Sequence, residues 1–151
     1  FDVDIPNGAT FKETATCLPG DTVRLLHTPF GPVGLSICYD LRFPELYRQL
    51  TAQGARIVVV PAAFTQHTGK DHWHPLLRAR AIENQVYVLA PGQLGRHNDK
   101  RHSYGHSLII DPWGTIIAEA PDRECVIVGE IDFSFQDRIR RQLPCLDHKR
   151  L

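Results

Sequence analysis

The chain has no methionine at all, and it opens on Phe1 in what reads as a strand or loop. The expectation is a stretch that begins partway through a longer protein. Its four cysteines, Cys17, Cys38, Cys125 and Cys145, contain no C-x-x-C pair, which excludes a zinc knuckle and a thioredoxin-type redox motif. So sparse a set also argues against an extracellular disulfide scaffold, and reduced thiols in a cytoplasmic setting are expected. Excess charge is missing too, since Lys plus Arg and Asp plus Glu stand at 17 each and no basic tract interleaved with aromatics appears. No nucleic-acid partner is expected. No apolar run approaches the roughly 18 residues of a membrane span, and no charged-then-apolar leader stands at the front. No membrane association is expected.

What is present is 151 residues, enough for one domain or part of one, with strand and helix signals in alternation. That alternation marks an α/β protein. Residues 22–27 read as a strand, 28–32 as a turn and 33–38 as a neighbouring strand. Pro44 opens a helix to about Gln53, with Leu46, Tyr47 and Leu50 as its apolar stripe, and Gly54 ends it. Residues 56–60 form a nearly all-apolar strand suited to a sheet covered on both faces. If it lies parallel to the strand ending at Cys38, then Pro61 to Phe64 fall beside Cys38, on the edge where such sheets place their chemistry.

Further along, residues 65–70 read as a polar loop and 71–84 as a helix with Pro75 in or near its first turn. Trp73, Leu76, Leu77 and Ala81 supply its apolar contacts. Residues 86–90 read as a strand, 92–101 as a loop, and 107–110 with 115–118 as a hairpin around Asp111-Pro112-Trp113-Gly114. Residues 125–131 read as a last strand, and 134–142 as a charged helix stopped by Pro144.

The segment with most chemical content is 33–45, V-G-L-S-I-C-Y-D-L-R-F-P-E, an apolar strand that stops at a thiol and turns into a helix. A free thiol is mostly protonated at neutral pH, so Cys38 needs help to act as a nucleophile. Backbone N–H groups at the corner supply some of it. Unpaired cysteine is equally at home as a small buried hydrophobe, and position alone leaves both readings open. Arg42 and Glu45 lie within a turn or two, Arg42 as a planar fork for a substrate carboxylate and Glu45 as its internal partner.

The eight histidines form no evident constellation. His72 and His74 diverge by about 200° on a helix, and His102 and His106 lie roughly 13 Å apart on an extended strand, so no metal site is expected. A Cys38 to His106 dyad stays open beside an ordinary hydrogen-bonded His106. Arg80 and Glu83 read as a structural i,i+3 ion pair rather than as a catalytic base.

Four segments then carry a resemblance. G-L-S-I-C-Y-D-L-R-F-P-E at 34–45, P-A-A-F-T-Q-H-T-G at 61–69, H-W-H-P-L-L-R-A-R-A-I-E-N at 72–84, and G-R-H-N-D-K-R-H-S-Y-G-H-S at 95–107 followed by D-P-W-G resemble the carbon-nitrogen hydrolases of the nitrilase superfamily. The last pair is similar to the branch that includes the deaminated glutathione amidases, though Pro91-Gly92 departs from the small residues more usual there. The resemblance implies that residues 1–151 form the carboxyl-terminal part of a four-layer α-β-β-α sandwich, an α/β fold, with the amino-terminal part of the domain missing.

The resemblance also implies a Glu, Lys, Cys triad in which Cys38 is the nucleophile and forms a thioester, the glutamate is the base and the lysine steadies the oxyanion. Both partners are implied to stand ahead of Phe1, so that Lys12 and Glu13 are not substitutes and the stretch alone is inactive. Arg42, Phe64 and Thr68 are implied to line the substrate pocket. The implied substrate is a small-molecule linear amide bearing a carboxylate, of the deaminated-glutathione kind, with a related ω-amidase or carbamoyl-amide hydrolase, or a non-catalytic interaction module, as alternatives. No cofactor is implied. A homodimer is, with helical surfaces and residues 143–151 contributing.

Overall fold

The computed structural model describes residues 1–4, 10–99 and 101–150. Two short strands, β1 (Asp2–Asp4) and β2 (Thr10–Lys12), pair antiparallel at the start. β3 (Leu25–Thr28) and β4 (Gly31–Leu35) form an antiparallel hairpin around the anticipated turn. A 3-10 helix, Cys38–Arg42, leads into α1 (Pro44–Ala52), where Pro44 occupies the first turn, in which a missing N–H costs nothing. β5 (Ile57–Val59), α2 (Gln66–Asn84) and β6 (Tyr87–Ala90) follow. A hairpin of β7 (Leu94–Asn98) and β8 (Arg101–Tyr104) precedes a second one of β9 (Leu108–Ile110) and β10 (Ile116–Glu119), and α3 (Phe133–Gln142) closes the set.

One six-stranded sheet organises these pieces in the order β10-β9-β6-β5-β4-β3, with β4, β5 and β6 parallel and both flanks antiparallel. The α/β expectation holds. Successive side chains of a strand point to opposite faces, and the face bearing Val58, Val60, Val88, Ala90, Leu108 and Ile110 is covered by Tyr47 and Leu50 of α1 and by Trp73, Leu77 and Ala81 of α2. Sheet and helices are two layers of the implied sandwich. Gly34 lets β4 approach α1, since a Cβ there would lie 3.1 Å from the Leu50 side chain. The opposite face leaves Leu26, Leu35 and Ile117 exposed. No described helix is long and apolar enough to cross a membrane.

Three expectations are corrected. Residues 66–70 are helix, not loop: Thr65 caps α2 by accepting a hydrogen bond from the Thr68 N–H, so Pro75 sits mid-helix. Its missing N–H is tolerated because the buried stripe on both sides, Trp73 and Leu77, anchors the helix to the core. The loop expected at 92–101 is largely the β7–β8 hairpin, fastened to the start of α2 by the Tyr104 N–H donating to the Phe64 carbonyl at 2.8 Å. Residues 125–131 form no strand; Val126 and Val128 point outward, 89% and 85% exposed, while Gly129 rests on Ile109 and Ile117. The alternation is there, but no described backbone offers it a ladder.

Candidate active site

Parallel pairing of β4 with β5 carries both chains to the same edge of the sheet, and hydrogen bonds continue past the strands. The Ser36 N–H donates to the Val59 carbonyl at 3.2 Å and the Cys38 N–H to the Pro61 carbonyl at 2.9 Å. Cys38 therefore sits beside residues 61–64, as anticipated. The corner is locked from inside by the Ser36 hydroxyl, which donates to the Val59 carbonyl at 2.8 Å and meets the Tyr47 hydroxyl at 3.0 Å. Asp40 locks it from outside, its carboxylate accepting the Ile37 N–H at 2.9 Å while its own N–H reaches back to the Ile37 carbonyl.

Cys38 adopts φ +45°, in the left-handed region. A residue with a Cβ pays about 1–3 kcal/mol for such a conformation, and the cost is met by the bonds that pin both flanks. The thiol is partly buried there and packs against the edge of the core. Burial pushes the thiol pKa up, against the pull of backbone hydrogen bonding from Ala63 and Tyr39. At neutral pH the thiol is protonated and attack requires a base. Among the described residues no side chain hydrogen-bonds it, and Glu13 is engaged with the Phe1 amino group at 2.8 Å.

Arg42, at the end of the 3-10 helix, lies between two rings, 5.4 Å from the Tyr39 centroid and 5.2 Å from that of Phe64. Its Nη1 stands 3.4 Å from His72 Nδ1. The expected pairing of Arg42 with Glu45 does not form among the described residues, because the guanidinium turns toward the rings and away from the helix surface. Phe64 is 5% exposed and packs on Trp73, so it is at once core and the wall under Arg42. Thr68 belongs to the helix cap, its hydroxyl 2.8 Å from that of Thr65. The structure thus gathers Cys38, Arg42 and Phe64 at one edge and places Thr68 one turn into the helix that starts there.

The Cys38 to His106 dyad is overturned, since both ring nitrogens of His106 face carboxylates, Nδ1 that of Glu119 and Nε2 that of Asp122, each at 3.1 Å. The expectation that no histidines cluster is corrected as well. His74, from α2, meets His106 at Glu119, a pairing that spacing within one element does not show. The Arg80–Glu83 pair is present at 3.0 Å, with Glu83 also accepting from Asn84 Nδ2.

Sequence reasoning missed the larger role of Arg80. Its side chain is buried, and Nε and Nη2 both donate to the Leu41 carbonyl, at 3.1 and 2.8 Å, holding the Cys38 helix from behind. The signal was available: a cation on the apolar stripe of Trp73, Leu77 and Ala81 needs a buried partner.

The carbon-nitrogen hydrolase family profile matches residues 1–141. Deaminated glutathione amidase of Synechocystis sp. is 51% identical over 151 residues, covering 99% of this chain and 56% of that protein. The crystal structure of the Caenorhabditis elegans NitFhit protein superposes with a TM-score of 0.92 at 46% identity, over 99% of this chain and 37% of that one. An amidase of Nesterenkonia sp. AN1, with the acetamide moiety of fluoroacetamide added covalently at its active site cysteine, matches with a TM-score of 0.65 at 30% identity, over 73% of this chain and 41% of that one. The chain spans about half the length of the curated relatives it matches.

Proposed function

This chain belongs to the carbon-nitrogen hydrolase family, and from that premise we propose that the protein hydrolyses a linear amide on a small carboxylate-bearing molecule, of the deaminated-glutathione kind, with Cys38 as nucleophile. The observation that carries the reading is the Cys38 corner itself: a partly buried thiol on a left-handed residue at the sheet edge, with backbone hydrogen bonds from Ala63 and Tyr39 pulling its pKa down against burial. No element of a plain hydrophobic core needs that strain.

In the proposed reaction Cys38 Sγ attacks the amide carbon while its proton passes to a general base, which the family resemblance makes a glutamate outside residues 1–151. Negative charge gathers on the former carbonyl oxygen and is met by the implied lysine. The C–N bond then breaks, the nitrogen takes the proton and leaves as ammonia, and a thioester remains. Water attacks the thioester and releases the carboxylic acid and the thiol.

Arg42 is assigned to the substrate carboxylate, because its guanidinium is held by aromatic faces and an imidazole and, among the described residues, is not neutralised by an acid. Phe64 is the apolar wall beneath it. Thr68 is assigned to the same pocket on the strength of its place on the first turn of α2, directly after Phe64.

Loss of a charge-assisted hydrogen bond costs about 1.5–3 kcal/mol, so Arg42→Ala is expected to raise KM for a carboxylate-bearing amide about 10- to 100-fold with kcat little changed. Arg42→Lys recovers only part, since an ammonium cannot present the fork. Steady-state kinetics over a panel of deaminated-glutathione-like, ω-amide and carbamoyl substrates check this. An equal KM change for an amide without a carboxylate contradicts the assignment, and a preference for carbamoyl compounds moves the protein to that neighbouring activity.

A further inference from the structure

Three side chains that the Cys38 chemistry does not use converge on one spot: His74 of α2, His106 just ahead of β9, and Glu119 at the end of β10. Glu119 Oε1 lies 2.9 Å from His74 Nε2 and 3.1 Å from His106 Nδ1, and the three atoms fall within 4.8 Å of one another. His106 is held firmly there. Its carbonyl accepts the Trp73 Nε1–H at 2.8 Å, its ring packs 4.4 Å from that of Tyr104, and its backbone is left-handed at φ +51°. From the far side Asp122 Oδ1 contacts Nε2 at 3.1 Å.

Proton counting shows that something positive belongs in this cluster. A neutral imidazole has one N–H and one lone pair, yet His106 faces a carboxylate oxygen at each nitrogen. If Nε2–H donates to Asp122, the Nδ1 lone pair points at Glu119, and two acceptors at that distance repel unless a cation lies between them. A metal ion between them relieves that contact, and His74 Nε2, aimed at the same oxygen, joins as a ligand in the tautomer that carries its proton on Nδ1.

Metal to nitrogen and oxygen bonds of about 2.0–2.1 Å in a tetrahedral site put neighbouring donor atoms about 3.3–3.4 Å apart. The two contacts to Glu119 Oε1, at 2.9 and 3.1 Å, are near that spacing, and the two imidazole nitrogens, within 4.8 Å of each other, close toward the ion as it binds.

We propose that His74 Nε2, His106 Nδ1 and Glu119 Oε1 form a binding site for a divalent transition ion of the zinc class, completed by water. Two imidazole nitrogens and one carboxylate suit such an ion and not magnesium or calcium, which take oxygen. Asp122 is the outer partner that fixes the His106 tautomer, the arrangement typical of histidine ligands. A bound ion ties the middle of α2 to the β9–β10 hairpin, through groups separate from those assigned to amide hydrolysis.

The test is calorimetric titration of the purified, chelator-treated protein with Zn2+, repeated with Co2+ to read the visible ligand-field bands. One equivalent of tight binding, a rise in Tm and tetrahedral cobalt bands are expected. His74→Gln and Glu119→Gln should each weaken Zn2+ binding at least about 10-fold, Asp122→Asn about 10-fold, and His27→Ala, on exposed β3, not at all. Metal-free circular dichroism and Tm confirm that the variants are folded, and the largely exposed Asp122 carries the test should a histidine variant not fold. Substoichiometric binding, or unchanged affinity in His74→Gln and Asp122→Asn, overturns the proposal and leaves a cluster held by hydrogen bonds alone.

Discussion

Cys38→Ala is expected to lower kcat for ammonia release by about 10⁴-fold or more, because no covalent route remains once the sulfur is gone. Substrate affinity should change little, since Arg42 and Phe64 stay where they are. Cys38→Ser should be almost as inactive: a hydroxyl holds its proton far more tightly than the thiol it replaces. Neither change should unfold the protein. The corner is pinned by backbone bonds to Val59 and Pro61 and by the Ser36 and Asp40 side chains, none of which involves the sulfur. Steady-state ammonia assays with equilibrium substrate binding separate the two effects. A Cys38→Ala protein within about tenfold of the parent kcat contradicts the nucleophile assignment.

Arg80→Met should produce the largest loss of stability, and it should reach the active site as well. The substitution strands the buried Leu41 carbonyl, which now accepts two N–H groups, and strips Glu83 of its nearest cation. Breaking a buried pair of this kind costs about 3–5 kcal/mol, and the half-buried Glu83, which keeps Arg48 3.8 Å away, sets this case at the lower end. In a chain of this size about 3 kcal/mol lowers Tm by about 6–12 °C. Because Leu41 lies inside the 3-10 helix that begins at Cys38, kcat should fall as well, by about tenfold, while KM for the carboxylate changes less. Thermal unfolding and kinetics on Arg80→Met, with Glu83→Gln as the second arm of a double-mutant cycle, measure both. A Tm shift under about 2 °C with unchanged kcat contradicts the role given to Arg80.

The parts of this fold that could be read in advance are those whose apolar pattern decides the structure locally. β4, α1 and β5 were legible because an apolar run, a Pro in a first helical turn and an all-apolar strand follow one another, and their parallel pairing brings residues 61–64 to Cys38. The β7–β8 hairpin was not legible. Leu94 to Asn98 and Arg101 to Tyr104 lack a repeating apolar face, and the hairpin is held by its seat on α2, where Gly69 admits the Tyr104 ring.

The same Gly69, with the polar residues around it, hid the first turn of α2, although Thr65 and Thr68 carry a cap signature. Residues 125–131 show the converse error, a strand-like alternation with no described neighbour to pair with. At the active site the nucleophile candidate and Arg42 stand out as side chains. The Ala63 and Tyr39 N–H donors do not, because a backbone group leaves no mark in the sequence. His74 and His106 meet only after α2 and the β9–β10 hairpin have packed together.

The central claim is a covalent bond between substrate and Cys38, and trapping that bond tests it most directly. The protein is mixed with a slowly hydrolysed amide, quenched in acid within one turnover, digested with trypsin and analysed by tandem mass spectrometry. The acyl mass should appear on the peptide spanning residues 25–42, whose only cysteine is Cys38, and should vanish as ammonia and acid accumulate. Turnover without an acyl adduct there, or with the adduct on Cys17, Cys125 or Cys145, contradicts the account.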